Sequence, residues 1–254
     1  MATDRVILCM KWGTLYSADY VNVLYHAVCD HLEKPFRFVC LTDDASGFDE
    51  GIEHFPIPDI GLQQNHWKHG AWPKLAVFSA DLYGLEGRAL FIDMDTVICG
   101  QLDDMFFGAG QFIGIDTGPN WKDGNTDNPP VLGTGVFAFD LGAHADILET
   151  FKVDIEKYIA RDELEQVYVQ SQVKDIQYWP IDWVPSYKYH LRHRYSLNLF
   201  IPPKAPGPHA RALAFHGDPR PIDLIKSKIW GVFPHLGRGP VKWFSEYWKK
   251  YGGQ

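Results

Sequence analysis

Two carboxylates, Asp93 and Asp95, flank Met94 directly after the apolar run 89–92. The run reads as a buried strand. In open α/β sheets, ligands gather beyond the carboxyl ends of strands. A bend in the backbone there would turn both carboxylates toward one hard divalent cation, which prefers carboxylate oxygens and also bridges phosphate oxygens. Such a cation offsets the charge that builds on a departing diphosphate. The plain alternative is a polar turn holding two solvated or capping carboxylates, and the triplet alone does not separate the two. A second candidate is the basic, aromatic stretch Ser186-Tyr187-Lys188-Tyr189-His190 with Arg192-His193-Arg194. It could line an acceptor or phosphate site, or be a solvated loop.

Something must position these side chains. The run 6–10 reads as a first strand, and Ser17 offers an N-cap. Tyr20, Val23, Leu24, Ala27, Val28 and His31 then recur at helical spacing, and Lys34-Pro35 ends the helix. A second strand, 36–41, closes at Thr42-Asp43-Asp44. This strand–helix–strand opening starts a parallel sheet. Further strands are expected at 52–57, 112–115, 136–139 and 212–215. Helices are expected at 72–82, with Pro73 in the first turn, and at 143–158 and 162–173. Residues 120–130 read as a loop, and 181–208 as irregular. With no repeat and no clear linker, the reading is one α/β domain over 1–254, with an aromatic and basic extension at about 222–254.

Composition narrows the function. The chain has 254 residues, 46% of them apolar, enough for a large core. A net charge of -8 argues against a nucleic-acid partner. It does not exclude a nucleotide substrate, because a bound cation supplies positive charge locally. The four cysteines form no CxxC pair and read as reduced, which suits a reducing compartment. No signal peptide and no membrane-spanning run is seen, so the expectation is a cytoplasmic protein. The tail Trp243, Phe244, Tyr247, Trp248, Lys249, Lys250 and Tyr251 could touch a membrane interface at its inner face, or dock on the domain, which is favoured.

With these residues in view, the chain resembles GT-A-fold glycosyltransferases, especially the retaining family 8 type and its small bacterial relatives. The resemblance runs from about 11 to 221, in order. Lys11-Trp12-Gly13-Thr14 with Tyr16 matches the nucleotide-holding segment, and Trp72-Pro73-Lys74-Leu75 the segment that brings a basic residue to the donor. Phe91-Ile92-Asp93-Met94-Asp95 matches the Asp-x-Asp motif. Gly133-Thr134-Gly135-Val136 matches the segment beside the donor sugar, and Glu165-Gln166 lies where relatives have Asp-Gln. Phe215-His216-Gly217-Asp218-Pro219-Arg220-Pro221 resembles the late His-x-Gly-x-x-Lys-Pro motif.

The resemblance implies a GT-A-like (Rossmann-like), mixed, mainly parallel sheet flanked by helices. It implies transfer of a hexose, with retention, from a nucleotide-diphosphate sugar such as a UDP-sugar to an unidentified acceptor hydroxyl. Asp93, Asp95 and His216 would ligate Mn²⁺ or Mg²⁺, the imidazole favouring Mn²⁺. Lys74 and Arg220 would meet anionic oxygens. Lys11, Trp12, Gly13 and Tyr16 would hold base and ribose. Met94, Thr134 and Gly217 would lie along the donor, and Glu165 and Gln166 would take the catalytic positions. Three departures stand out: Gly133-Thr134-Gly135 lacks the family's Asn, Glu165 replaces Asp, and the late motif runs His216-Gly217 with no residue between them and has Arg220 in place of Lys.

Each residue also has an ordinary reading. His216 could be a structural hydrogen bonder, Lys74 and Gln166 solvated helix residues, and Trp12 and Tyr16 core. Two rival functions remain. Asp93-Met94-Asp95-Thr96-Val97 also fits dehalogenase-type phosphatases, with Asp93 as nucleophile, although a full strand–helix–strand unit precedes it. The other rival is a non-catalytic carbohydrate-binding protein.

Overall fold

The computed structural model describes residues 4–124 and 127–253. Residues 1–3, which entered the reading of the N-terminus, and 125–126 of the expected loop lie outside the described residues. The chain opens with β1 (Arg5–Lys11), α1 (Ala18–His31), β2 (Arg37–Thr42) and β3 (Glu53–Phe55). Next come β4 (Arg88–Ile92), the short β5 (Val97–Ile98), β6 (Ile113–Asp116), α2 (Pro119–Asp123) and β7 (Leu132–Asp140). They are followed by α3 (Ala145–Val153), α4 (Ile155–Asp162), α5 (Glu165–Gln172) and β8 (Gln177–Tyr178). The chain finishes through β9 (Ala212–Leu213), α6 (Pro221–Ile225), β10 (Ile229–Trp230), β11 (Gly237–Arg238) and α7 (Lys242–Lys250).

One seven-stranded sheet, ordered β3-β2-β1-β4-β7-β6-β8, carries the molecule. Its neighbouring strands are parallel except at β7, which runs against both β4 and β6. This is the mixed, mainly parallel sheet expected. The period-2 alternation of each strand feeds two cores, one per face. In β1, Ile7 and Cys9 enter one core, while Val6, Leu8 and Met10 enter the other. The first core is covered by α1 and α7. The second is covered by α3, α5 and a 3-10 helix, Trp72–Phe78.

Several expected boundaries move. The helix at 72–82 is a 3-10 helix ending at Phe78, all seven of whose residues are buried. The helix at 143–158 breaks at Asp154, whose side chain accepts from the Lys157 amide at 3.2 Å and starts α4. The helix at 162–173 begins only at Glu165, because Glu163 adopts a left-handed φ of 59°. Ser17 stands in the N-cap position, but its hydroxyl bonds Asp19 and makes no cap. The stretch 181–208 is irregular, as expected, with a π turn at Tyr187–Leu191. The tail folds back as α7, burying Phe244 and Trp248. No described helix is long and apolar enough to cross a membrane. All four cysteines are free; Cys9 and Cys40 are buried and Cys29 is exposed.

Candidate active site

The carboxyl ends of β4 and β6 and the start of β7 share one edge of the sheet, because β7 runs the opposite way. A cleft of about 450 Å³ opens there, lined by Lys74, Asp93, Thr134, Glu165, Gln166 and His216 among others. A larger cavity of about 670 Å³ lies between 181–191 and 204–210. It contains none of Asp93, Asp95 or Glu165, so the concentration of chemistry marks the smaller cleft as the site.

A bulge shapes this cleft. Gly114 of β6 faces Phe137, but the next residue, Ile115, faces Gly133. The intervening residues of β7 are therefore out of register with β6. Gly135 O still accepts from the Asp93 amide at 2.8 Å. The Thr134 carbonyl instead accepts from Lys74 Nζ at 2.7 Å. Gly133 is required here, since a Cβ would collide with Thr117 and crowd Ile115.

Lys74 is 5% exposed and pairs with Asp93 at 3.2 Å. Burial alone would lower its pKa. The charges of Asp93, Glu165 and Asp95 outweigh this, so the ammonium is held. Glu165 Oε2 accepts from the Thr134 hydroxyl at 2.9 Å. Its Oε1 is buried without a hydrogen-bond partner among the described residues. Burial raises the Glu165 carboxyl to about 7, against the pull of Lys74. Burial also raises Asp93, but 37% of that side chain remains exposed, so water tempers the effect. Asp95 is pushed up to about 7 by burial and then by the Asp93 charge, while the Tyr16 hydroxyl, donating at 2.8 Å, opposes the shift.

Lys74 thus pairs with Asp93 directly and feels the charges of Glu165 and Asp95 at longer range. That excess of negative charge, with oxygen donors, fits a hard divalent cation at Asp93 and Asp95. His216 is turned elsewhere. Its Nε2 lies 2.8 Å from Ser186 Oγ, and its ring packs beside Trp121 and Tyr189. Burial, then the charges of Lys188, Arg192 and Lys122, depress it to about 4, so the ring is neutral. Among the described residues, no three His, Cys, Asp or Glu side chains gather as a metal site. The structure therefore does not draw Asp93, Asp95 and His216 into one set.

The other candidates divide by location. Tyr16 joins Asp95, and the Arg220 guanidinium lies 5.8 Å from the Tyr16 ring. Lys11 Nζ donates to Asp44 O, Gly13 N to Asp43, and Trp12 Nε1 to Trp67 O, so this segment leans on the loop after β2 and on Trp67. The Met94 side chain enters the core and is 8% exposed. Gly217 has a φ of 65°, and Lys188 Nζ lies beside it. Gln166 is half-buried on the cleft wall. Sequence reasoning missed Trp121 and Lys122, which also line the cleft, because 120–130 read only as loop. A lone Trp in a stretch of Gly, Asn, Asp and Pro was the available signal.

No family model and no curated protein matches the chain. Solved structures do. A galactosyltransferase, LgtC, crystallised with donor and acceptor sugar analogs, superposes with a TM-score of 0.61 at 14% identity, covering 98% of this chain and 97% of its own. The bifunctional glycosyltransferase WbbM gives 0.59 at 11% identity over 96% of this chain. GlyE of Streptococcus pneumoniae gives 0.56 at 14% over 97%. This chain spans 49% of WbbM and 62% of GlyE. The chain therefore has the GT-A glycosyltransferase fold.

Proposed function

We propose that this protein moves a hexose from a nucleotide-diphosphate sugar, a UDP-sugar being the first candidate, to an acceptor hydroxyl with retention of configuration. One observation carries the reading: Lys74 pairs with Asp93 beside Glu165 in a cleft at the carboxyl end of β4, with Asp95 two residues on from Asp93. Asp93 and Asp95 are the residues that would hold Mn²⁺ or Mg²⁺, and a bound cation supplies neutralisation of the departing diphosphate. His216 is neutral, as a ligating imidazole must be, and releasing Ser186 would free its Nε2 for the same ion. Arg220 and Lys74 add fixed positive charge for anionic oxygens. Lys11, Trp12, Gly13 and Tyr16 receive the nucleoside, and the backbone at Met94 and Gly217 follows the diphosphate. In the transfer, the anomeric carbon–oxygen bond breaks and its electron pair leaves with the diphosphate. The acceptor oxygen bonds the anomeric carbon in its place, and the acceptor's proton passes to the departing diphosphate oxygen. Glu165 offers its unpartnered Oε1 to a sugar hydroxyl, and Gln166 brings an amide to the same wall.

The rivals are not favoured. The sheet is that of GT-A glycosyltransferases, not the framework a dehalogenase-type phosphatase would need. A pure binding scaffold gives no reason to bury a half-satisfied carboxylate at Glu165, which costs roughly 1–3 kcal/mol. Calorimetry with UDP-hexoses, with and without Mn²⁺, tests the reading. Donor binding should require the metal, and Asp95→Ala should weaken it by on the order of 100-fold. Hydrolysis of simple phosphate esters, with no affinity for any nucleotide-sugar, would overturn it.

A further inference from the structure

The chain separates its charges strongly. Between Asp182 and Asp218 there are five Lys or Arg and no carboxylate, and between Asp223 and Glu246 there are four and none. The chain as a whole carries -8. These two basic stretches meet in the fold. The 195–201 loop is laced to the β10–β11 hairpin by Ser196 Oγ donating to Pro234 O, by the Leu236 amide donating to Ser196 Oγ, and by the Arg238 amide donating to Asn198 O.

The tips of both loops are apolar and uncovered. Phe200 is 84% exposed, Phe233 80%, Tyr195 75% and Val232 68%. Single exposed apolar residues are ordinary, but a group of this size on adjoining loops marks a contact surface. Tyr195 and Ser196 also hold left-handed φ values of 53° and 58°, a conformation non-glycine residues seldom adopt. Exposed cations lie on or next to these segments: Arg238 in β11, Arg194 just before the loop and Lys226 just before the hairpin, none in an ion pair among the described residues. By contrast, the tail aromatics Phe244 and Trp248 are buried in the core and are not free to meet a bilayer.

We propose that the 195–201 loop and the β10–β11 hairpin form a docking surface for an anionic lipid membrane. Protruding aromatic and aliphatic side chains enter the interface, and unpaired cations meet the lipid phosphates. Charge complementarity favours lipid over a second copy of this chain, since a copy would oppose one basic face to another.

Co-sedimentation of the full chain with vesicles of phosphatidylcholine, alone or mixed with phosphatidylglycerol, tests this. Binding should need the anionic lipid and weaken with salt. The variant Phe200→Ser/Phe233→Ser should bind at least about 10-fold more weakly. Arg194→Gln/Lys226→Gln should lose about 5-fold per charge. Both pairs are exposed, so melting temperatures should match the parent, and the charge variant gives an independent readout if the aromatic one melts early. Absence of sedimentation, equal binding to neutral vesicles, or a dimer abolished by the aromatic substitutions would each overturn the proposal. The surface lies outside the catalytic cleft, so its test is independent of the donor assignment.

Discussion

Glu165 is an expensive residue for this fold to keep. Its carboxyl is buried with one oxygen on Thr134 and the other unpartnered among the described residues. Glu165→Gln retains an acceptor for the Thr134 hydroxyl and removes the buried charge. The folded carboxyl is raised to about 7, above its ordinary value, so the native state holds this proton more tightly than the unfolded chain. Stability from this group is full below about pH 4 and is lost as pH rises through about 7. The variant should therefore match the parent near pH 4 and exceed it by about 3 kcal/mol at pH 8, while sugar transfer falls at least about 10-fold. Urea unfolding at both pH values checks this; a variant less stable than the parent at pH 8 would refute it. At this scale the sequence was informative where type and position coincide. Asp93 and Asp95 stood out because they follow a strand directly. The bond from Tyr16 to Asp95 was invisible, because it joins residues 79 positions apart. The turn of His216 toward Ser186 was hidden for the same reason: nothing local specifies it.

At the scale of elements, apolar runs revealed the strands but not their direction. The reversal of β7 is written in no residue type, yet it brings Thr134 to the edge where β4 ends. The out-of-register segment behind Gly133 was equally hidden, although the glycine itself was noticed as part of a motif. Helix ends drifted where a side chain overrode periodicity, as when Asp154 capped α4 inside a continuous helical pattern. Gly133→Ala tests the register. Its Cβ would strike the Thr117 methyl and crowd Ile115, costing about 1–3 kcal/mol. Melting temperature and donor affinity should fall together, since the same strand segment carries the Thr134 carbonyl to Lys74. Adding Thr117→Ser removes the struck methyl and should recover part of both. If the second substitution recovers neither, the steric account of Gly133 fails.

Across the whole molecule, the last helix and the first are joined beneath the site. Trp248 of α7 meets Tyr20 of α1 edge-on at 5.1 Å, and Tyr20 meets Tyr16 at 4.8 Å. The Tyr16 hydroxyl reaches Asp95. The Tyr20 hydroxyl also accepts from the Ile222 amide, tying α6 to the same post. The aromatic spacing of the tail was visible in the sequence. Its packing partners were not, because they come from residues more than 200 positions away. Trp248→Ala should cost about 3–5 kcal/mol as a large buried ring is lost. If the ring stack positions Asp95, donor affinity should fall as well, measured well below the variant's melting point. Trp248→Phe, which keeps an aromatic against Tyr20, should restore affinity more fully than stability. The stack matters to the site only if those two quantities separate in this way; a variant set in which affinity never moves would leave α7 as a purely structural cover for the sheet.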